Sequence, residues 1–267
     1  MNKVAVVTGA ARGIGLAIAE KFLETGYRVA LLDIDATTLE QTADTLREKP
    51  EAYALVCDVS DPEQVQASID RVVAHFGQID ALVNNAGVAV FKPAQEVTFD
   101  DWSRVLATNL NGPFLCTQAC APVMLETAGG GSVVNIASIS GVRASTLRIA
   151  YGTSKAALMH LTKQQAVEYG NLGIRVNAIA PGPVETAMAA QVHSADIRTS
   201  YRDAIPLARY GTTREIAEAV AFLCSDAASF INGQILAVDG GFDAAGVGLP
   251  SLRNQTYTER NEASLLQ

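Results

Sequence analysis

The sequence predicts an α/β fold in which helices cover both faces of a parallel β-sheet. Short runs that are almost entirely apolar alternate along the chain with longer segments of helical period. A strand is continuously apolar when both of its faces are covered, whereas a strand with one face in water alternates between apolar and polar residues. Strands that alternate with helices imply βαβ units, whose right-handed crossovers produce an open, doubly wound sheet.

The individual elements follow from these patterns. Strands are predicted at residues 4–7, 29–32, 54–57, 81–83, 132–136, 175–179 and 235–238. Helices are predicted at residues 14–24, 37–47, 62–75, 102–126, 151–169 and 213–225. Because no linker or repeat divides the chain, residues 1–245 are expected to form one domain. The polar segment 246–267 has no periodicity and is expected to be a tail, either disordered or laid across a neighbouring surface.

Composition excludes several classes of protein. A chain of 267 residues can bury a core without disulfides or a structural metal. The net charge of −8 argues against a nucleic-acid binder, which needs a basic face. The four cysteines form no C-x-x-C pair, no targeting segment precedes the first strand, and no apolar run approaches the ~18 residues of a membrane span. We therefore expect a cytoplasmic protein.

A glycine-rich turn, TGAARGIG at residues 8–15, joins the first predicted strand to the first predicted helix. Glycines at such a turn let a pyrophosphate approach the backbone N–H groups at the helix N-terminus. Their spacing here is Gly-x-x-x-Gly-x-Gly rather than the general G-x-G-x-x-G. A strand before, a helix after and an acidic residue at the end of the second strand together favour a dinucleotide site over a purely structural turn.

That acidic residue, Asp33, indicates which dinucleotide is bound. A carboxylate at the end of the second strand accepts hydrogen bonds from both ribose hydroxyls of NAD and repels the 2′-phosphate of NADP. Residue 34 is isoleucine rather than the arginine that would accompany a phosphate. Arg12 in the glycine-rich turn is an argument for NADP, because its guanidinium could contact a 2′-phosphate. Alternatively, Arg12 could be an exposed residue or could pair with a nearby carboxylate. Asp33 weighs more heavily, so NAD is predicted over NADP.

The chemistry is predicted from a tyrosine and a lysine four residues apart. Tyr151 and Lys155 would share a helix face, and a cation beside a phenol favours the phenolate. Tyr151 is thus a candidate general acid/base, although a single Tyr-x-x-x-Lys is by itself more often an exposed helical pair. Ser138 ends the fifth predicted strand, at the sheet edge where ligands of open α/β sheets bind.

Taken together, these motifs resemble those of the short-chain dehydrogenase/reductase family. The turn at 8–15, NNAG at 84–87, Asn109, Ser138, YGTSK at 151–155 and PG at 181–182 occur in the family's order, and the resemblance extends over residues 4–241. It implies a single-domain Rossmann-type fold with a seven-stranded sheet in the order 3-2-1-4-5-6-7. It also implies a hydride-transferring enzyme that binds NAD or NADP.

The resemblance implies roles for four catalytic residues. Tyr151 resembles the family's acid/base, which exchanges a proton with the substrate oxygen. Lys155 would lower the pKa of Tyr151 and bind the nicotinamide ribose. Ser138 would donate a hydrogen bond to the substrate oxygen, where charge builds up in the transition state. Asn109 resembles the helix-bending residue that holds a water of the proton relay.

The resemblance also implies where the cofactor is bound. Asp58 and Val59 match the residues that contact the adenine. Val184 and Thr186 resemble the positions that bind the carboxamide. Residues 85–87 (the NAG segment) would line the cofactor path. The predicted cofactor contacts are Gly9, Arg12, Gly13, Ile14, Gly15, Asp33, Asp58, Val59, Asn85, Ala86, Gly87, Tyr151, Lys155, Pro181, Gly182, Val184 and Thr186.

The predicted reaction interconverts a secondary alcohol, of the sugar, polyol or hydroxy-acid type, and its ketone. Ser138, Tyr151 and Arg148 are the candidate substrate contacts, beneath a variable lid at residues 185–206. Arg148 could bind an anionic or polyhydroxylated substrate, or it could face solvent or another subunit. One alternative function is a 3-oxoacyl-[acyl-carrier-protein] reductase, against which Asp33 and the acidic composition both count. A second is a nucleotide-binding regulator without turnover.

Several other residues are not predicted to form a site. His75, His160 and His193 are scattered, and core or surface histidines are the favoured interpretation, so no metal is predicted. Cys116 and Cys120 share a helix face but are expected to be small core residues. The resemblance also implies that the predicted helices 102–126 and 151–169 pair across a two-fold axis, so that the protein would be a homodimer or homotetramer.

Overall fold

A seven-stranded parallel sheet with the order β3-β2-β1-β4-β5-β6-β7 forms the centre of the molecule. The computed structural model describes residues 2–46 and 51–246. The strands are β1 Val4–Thr8, β2 Arg28–Asp33, β3 Ala52–Val56, β4 Ala81–Asn84, β5 Gly131–Ile136, β6 Ile174–Pro181 and β7 Ile235–Val238. Both the predicted fold class and the predicted strand order are confirmed.

Helices connect these strands and cover the sheet. They are α1 Gly13–Glu24, α2 Ala36–Thr45, α3 Pro62–Phe76, α4 Phe99–Leu106, α5 Gly112–Val123, α6 Ile139–Val142, α7 Ile149–Gly170, α8 Ala187–Val192, α9 Ala195–Ala204 and α10 Thr213–Cys224. In the described residues, no helix is long and apolar enough to cross a membrane.

Three predictions of helical structure need correction. The helix predicted at 102–126 begins at Phe99, and the π-helical turn Ala107–Asn111 interrupts it between α4 and α5. The lid at 185–206, predicted as a variable loop, contains α8 and α9. The helix predicted at 37–47 ends at Thr45, and residue 47 lies outside the described residues, as does the predicted tail apart from Gly246.

Two apolar layers, one on each side of the sheet, explain why the strands are continuously apolar. Within β1, Ala5 and Val7 join the layer that contains α1 and α10. The alternate residues Val4 and Val6 join the layer that contains α3 and α5. All four side chains are fully buried, so a polar residue at any of these positions would lose its hydration without gaining a partner.

The parallel arrangement places the functional segments at one edge. Every strand enters the sheet in the same direction, so the loops that follow the strands gather at the carboxyl edge. The glycine-rich turn follows β1, Asp33 ends β2, the NAG segment follows β4 and Ser138 follows β5. Residues up to 130 positions apart in the chain therefore line one opening.

Candidate active site

A cavity of about 730 Å³ opens at the carboxyl edge of the sheet, beneath the lid. Its walls contain all of the predicted site residues except Gly15 and Asn109. The predicted residues that line it are Gly9, Arg12, Gly13, Ile14, Asp33, Asp58, Val59, Asn85, Ala86, Gly87, Ser138, Arg148, Tyr151, Lys155, Pro181, Gly182, Val184 and Thr186.

The glycine-rich turn packs so closely against the NAG segment that side chains are excluded. A Cβ atom on Gly9 would lie 2.8 Å from the Ala86 Cα, and a Cβ atom on Gly15 would overlap the Gly9 carbonyl oxygen. The Asn85 amide donates to the carbonyl oxygens of Thr8 and Gly9, both at 2.9 Å. Gly15 is thus buried beneath the turn rather than in contact with the cavity.

Asp33 lies at the end of the cavity nearest β2, and backbone N–H groups fix its carboxylate. Ala11 donates to Oδ2 at 2.9 Å, and Asp35 donates to Oδ1 at 3.0 Å. Asp58, which follows β3, accepts from the backbone and the hydroxyl of Ser60 at 2.9 and 2.7 Å. Both carboxylates therefore line the same end of the cavity, next to the exposed side chain of Ile34.

Arg12 is held by a carboxylate of the protein itself. Its Nη1 donates to Asp35 Oδ2 at 2.8 Å and lies 3.4 Å from the Thr38 hydroxyl. The backbone N–H of Thr38, its hydroxyl and then Arg12 hold the pKa of Asp35 below its usual range, so Asp35 carries a full negative charge at neutral pH. The charge of Arg12 is therefore largely offset at the place where a ribose phosphate would lie.

Ser138, Tyr151 and Lys155 meet where α6 and α7 begin. Ser138 is the N-cap of α6, and Tyr151 lies in the first turn of α7. The Lys155 ammonium is buried, donates to the Ile136 carbonyl at 2.7 Å and lies 5.8 Å from the centre of the Tyr151 ring. Burial lowers the pKa of Lys155 to about 8, because the neutral amine is favoured there.

The pKa of Tyr151 departs from expectation in both direction and cause. Burial raises it, while the hydrogen bond from Ser138 and the positive charge of Arg148 act in the opposite direction. Lys155, from which the lowering was expected, is not among these causes. The Lys155 ammonium and the Arg148 guanidinium carbon are about equally close to the Tyr151 ring centre, at 5.8 and 6.0 Å, and the Lys155 ammonium also donates to the Ile136 carbonyl.

Asn109 lies behind the cavity wall in the π-helical turn. Its Oδ1 accepts from Val88 N at 2.8 Å, and its Nδ2 donates to Val88 O at 2.9 Å and to Ser154 Oγ at 3.0 Å. The side chain is fully buried, and its amide is occupied by these three bonds. Asn109 therefore connects the segment after β4 to Ser154 of α7, the residue before Lys155. The water expected at Asn109 stays a prediction.

His193 is a cavity residue that the sequence did not identify. It lies just after α8, lines the cavity, and places Nε2 3.2 Å from Arg148 Nη2 and Nδ1 3.0 Å from the Tyr210 hydroxyl. The sequence favoured a core or surface histidine here and predicted no site role for it. Its position inside the predicted lid was the available signal, but its contact with Arg148 joins residues 45 apart.

The other residues that were set aside do not enter the cavity. His75 stacks on Tyr53, and His160 lies within hydrogen-bonding distance of Gln164. Cys116 and Cys120 are buried free thiols. In residues 2–46 and 51–246, no group of three or more His, Cys, Asp or Glu side chains is placed to hold a metal ion.

Known proteins share both the sequence and the shape of this chain. Residues 9–243 match the family model described as enoyl-(acyl carrier protein) reductase. A D-threitol dehydrogenase of Mycolicibacterium smegmatis is 44% identical over 242 residues, which cover 90% of this chain and 93% of that protein. The chain belongs to the short-chain dehydrogenase/reductase family. A 3-oxoacyl-[acyl-carrier-protein] reductase of Chlamydia trachomatis is 37% identical, over 90% of this chain and 97% of that one.

Two solved structures of the short-chain dehydrogenase/reductase type align with the chain. A xylitol dehydrogenase with bound NAD⁺ is 39% identical, with a TM-score of 0.84 over 90% of this chain and 98% of that one. A gluconate 5-dehydrogenase from Burkholderia cenocepacia, in complex with NADP and tartrate, is 35% identical, with a TM-score of 0.86 over 92% and 97%. This short-chain dehydrogenase is thus an NAD(P)-dependent enzyme that acts on CH–OH groups.

The residues present fit a nicotinamide dinucleotide. The Cβ position of Gly13 is free of any atom within 4 Å, so the turn after β1 leaves open space in front of its backbone. Asp33 and Asp58 offer carboxylate acceptors at one end of the cavity, and Tyr151 and Lys155 offer donors at the other. The cavity volume is also within the range of cofactor sites.

Proposed function

We propose that this chain is an NAD-dependent dehydrogenase that interconverts a secondary alcohol, of the sugar, polyol or hydroxy-acid class, and the corresponding ketone. One observation carries the proposal: Ser138, Tyr151 and Lys155 line the same cavity as Asp33. A proton-transfer group and a ribose-binding carboxylate thus share one site, and a small-molecule substrate has room beneath the lid. The relatives named above act, by name, on a polyol, a sugar acid and an acyl thioester.

Each catalytic residue has a proposed task in alcohol oxidation. Tyr151 removes the hydroxyl proton, and Ser138 donates a hydrogen bond to the same substrate oxygen. When bound, a nicotinamide dinucleotide would supply the hydride-transfer chemistry. Lys155 binds the nicotinamide ribose, and Asn109 positions the segment that follows β4. In the reverse direction, Tyr151 returns its proton to the carbonyl oxygen.

The cofactor contacts predicted above are proposed to serve NAD rather than NADP. The Asp33 carboxylate is fixed by two backbone N–H groups, so a 2′-phosphate would meet a negative charge that cannot easily move away. Arg12, the residue that could offset this charge, is engaged by Asp35 and Thr38. Both arrangements support NAD.

The alternatives receive less support. A 3-oxoacyl-[acyl-carrier-protein] reductase normally uses NADP and docks an acidic carrier protein, and the net charge of −8 disfavours such docking. A regulator without turnover would not need Ser138, Tyr151 and Lys155 to meet in one cavity. The buried free thiols Cys57, Cys116, Cys120 and Cys224 support a reducing compartment such as the cytoplasm.

A substrate panel tests this proposal. Sugars, polyols, hydroxy acids and simple secondary alcohols, with 3-hydroxyacyl thioesters as the comparison class, are each incubated with NAD and with NADP, and the absorbance of the reduced cofactor is followed. We expect turnover with NAD for at least one of these classes and a lower kcat/KM with NADP. Turnover only with NADP would contradict the assignment of Asp33. Turnover restricted to acyl thioesters would favour the carrier-protein reductase.

A further inference from the structure

At the end of the cavity nearest Tyr151 lies a cation that has no counter-charge among the residues that the structure describes. Arg148 is half-buried there, with its guanidinium carbon 5.0 Å from the centre of the Phe91 ring. Among the described residues, two carboxylates line the cavity wall: that of Asp33, at the end of β2, and that of Asp58, which follows β3. In the part of the chain that the structure describes, Arg148 forms no ion pair with a carboxylate. Removing a guanidinium from water without a counter-charge costs free energy that an anionic ligand would recover.

Neutral groups hold this guanidinium in a fixed orientation. Arg148 Nη1 donates to Ser140 Oγ at 3.3 Å, and Nη2 lies 3.2 Å from His193 Nε2. Because a guanidinium only donates, Nε2 must accept, and the ring proton is on Nδ1, facing Tyr210. His193 is therefore neutral in this contact. Ser140 and His193 engage one N–H each, which leaves the rest of the guanidinium's five N–H groups for a ligand.

Glu185, an acidic residue of the lid that acts on His193, does not form an ion pair with Arg148. Glu185 is paired with Arg198, whose guanidinium also lies over the Tyr210 ring at 4.6 Å. The positive charge of Arg198 and the negative charge of Glu185 therefore offset each other beside His193. The charge of Arg148 is left unbalanced at the substrate end of the cavity.

We infer that Arg148, oriented by Ser140 and His193, is the binding subsite for the carboxylate of a short hydroxy acid. This inference rests on the proposed function and selects one of its three substrate classes. Arg148 and Tyr151 are neighbours at the start of α7, so a carboxylate on the guanidinium would lie close to a carbinol on the phenol. A guanidinium matches a carboxylate in geometry and can bind both of its oxygens. A polyol would instead need acceptors as well as donors, and no carboxylate lies among the described wall residues at this end.

Matched substrate pairs test the subsite. Each short 2- or 3-hydroxy acid is compared with its carboxamide, which has nearly the same size but no charge, using kcat/KM with NAD. We expect the wild-type enzyme to favour the acid by about 100-fold, since hydrogen bonds to charged groups are the strong ones. Arg148→Gln should bring this ratio close to one, mainly through KM, and Arg148→Lys should retain part of it. Because the ratio is taken within each variant, any change in the acidity of Tyr151 cancels.

His193 is a positioning residue for Arg148. Its variants distinguish a loss of guanidinium orientation from a general loss of folding or activity. His193→Leu should raise KM for the acids by about tenfold with little change in kcat, because one arm of the guanidinium loses its acceptor. His193→Gln supplies an acceptor again and should restore most of the loss. Arg143→Gln is the matched control: it makes the same charge change on an exposed arginine that donates to the Phe242 carbonyl outside the cavity. It should leave the acid-to-amide ratio unchanged.

The possible failures are distinguishable. If the wild-type enzyme oxidises polyols or carboxamides as well as it oxidises acids, the subsite is wrong while the proposed function stands. If no substrate is turned over, the proposed function fails, and the subsite is tested by calorimetric titration of short dicarboxylates and 2-oxo acids into the protein with NADH. Binding to wild-type protein that Arg148→Gln abolishes would support the subsite, and a lack of binding to wild-type protein would overturn it.

Discussion

Arg148 influences the acid/base residue as well as the charge of the cavity. Its guanidinium lowers the pKa of Tyr151, against the burial that raises it. Alcohol oxidation needs the phenolate, so kcat/KM should increase with pH through the pKa of Tyr151. Arg148→Gln removes the cation, raises this pKa and should move the ascending limb of the pH profile to higher pH.

A set of pH profiles of kcat/KM checks this prediction. Arg148→Lys retains a positive charge and should keep the limb near its wild-type position. A neutral substrate should be used, so that loss of carboxylate binding does not contribute to the shift. Coincident profiles for wild-type enzyme and Arg148→Gln would show that Arg148 does not act on Tyr151.

Two aspartates are proposed to control the choice of cofactor. Asp33 would repel a 2′-phosphate, and Asp35 holds the arginine that could bind one. Asp33→Ser should increase the ratio of kcat/KM for NADP to that for NAD by about tenfold. Adding Asp35→Asn should raise the ratio by about a further tenfold, because Arg12 becomes free to bind the phosphate.

Asp35→Asn removes the negative charge that holds Arg12 without removing the cap of α2. Asp35 is also the N-cap of α2 and accepts from Thr38 N, a role that asparagine fills equally well. The Asp35–Arg12 pair lies at the surface, so its loss should change the free energy of unfolding little. If Asp35→Asn has no effect on the cofactor ratio in the Asp33→Ser background, Arg12 does not reach the phosphate.

At the scale of elements, the turn between β1 and α1 depends on glycines for two different reasons. Gly13 has a φ of +61° and open space at its Cβ position, whereas Gly15 has no room for a Cβ atom. Gly13→Ala should therefore cost only the strain of a left-handed residue, about 1–2 kcal/mol. Gly15→Ala must displace the Gly9 carbonyl and should cost more than 2 kcal/mol, and it should abolish NADH binding.

Urea unfolding and NADH titration of the two variants measure these effects. A Gly15→Ala protein that is as stable as Gly13→Ala would contradict the close approach of α1 to the turn. The comparison is internally controlled, since both variants add one methyl group to the same short segment.

The π-helical turn at Asn109 and the lid helices mark the limit of what the sequence predicts at this scale. Periodicity indicated one continuous helix at 102–126, because a single widened turn hardly disturbs the apolar pattern. Thr186 caps the N-terminus of α8, and Ser194 caps the N-terminus of α9. However, α8 has only six residues, and α9 buries none of its residues. The first is too short to show a helical period, and the second packs no residue into the core, so neither is easily recognised from the apolar pattern.

At the scale of the whole molecule, the sheet was predictable because burial on both faces produces continuously apolar strands. The cavity was predictable because its residues follow those strands, as Asp33 and Ser138 do. The pairing of Arg148 with His193 was not predictable, nor was the identity of Asp35 as the carboxylate that pairs with Arg12, since these contacts depend on how distant segments fold together.

Assembly is a further property of the whole molecule, and we propose that the chain forms a homodimer or homotetramer. Apolar side chains remain exposed on the helices expected to pair: Phe114 on α5 is 45% exposed and Val167 on α7 is 79% exposed. Light scattering after size-exclusion chromatography should give the mass of two or four chains. Val167→Glu should reduce this mass by placing a charge in the interface. A wild-type mass of one chain would contradict the proposal.

The most direct test of the account is the effect of Tyr151→Phe on turnover and on cofactor binding. If Tyr151 transfers the proton, the variant should lose about 10²–10⁴-fold in kcat on the best substrate of the panel. Its affinity for NADH, measured by fluorescence titration, should fall by less than about tenfold, because the variant loses one hydroxyl while the other proposed cofactor contacts, Asp33 and Lys155 among them, remain. Turnover retained within tenfold of wild type would show that another group performs the proton transfer, and the proposed active site would be wrong.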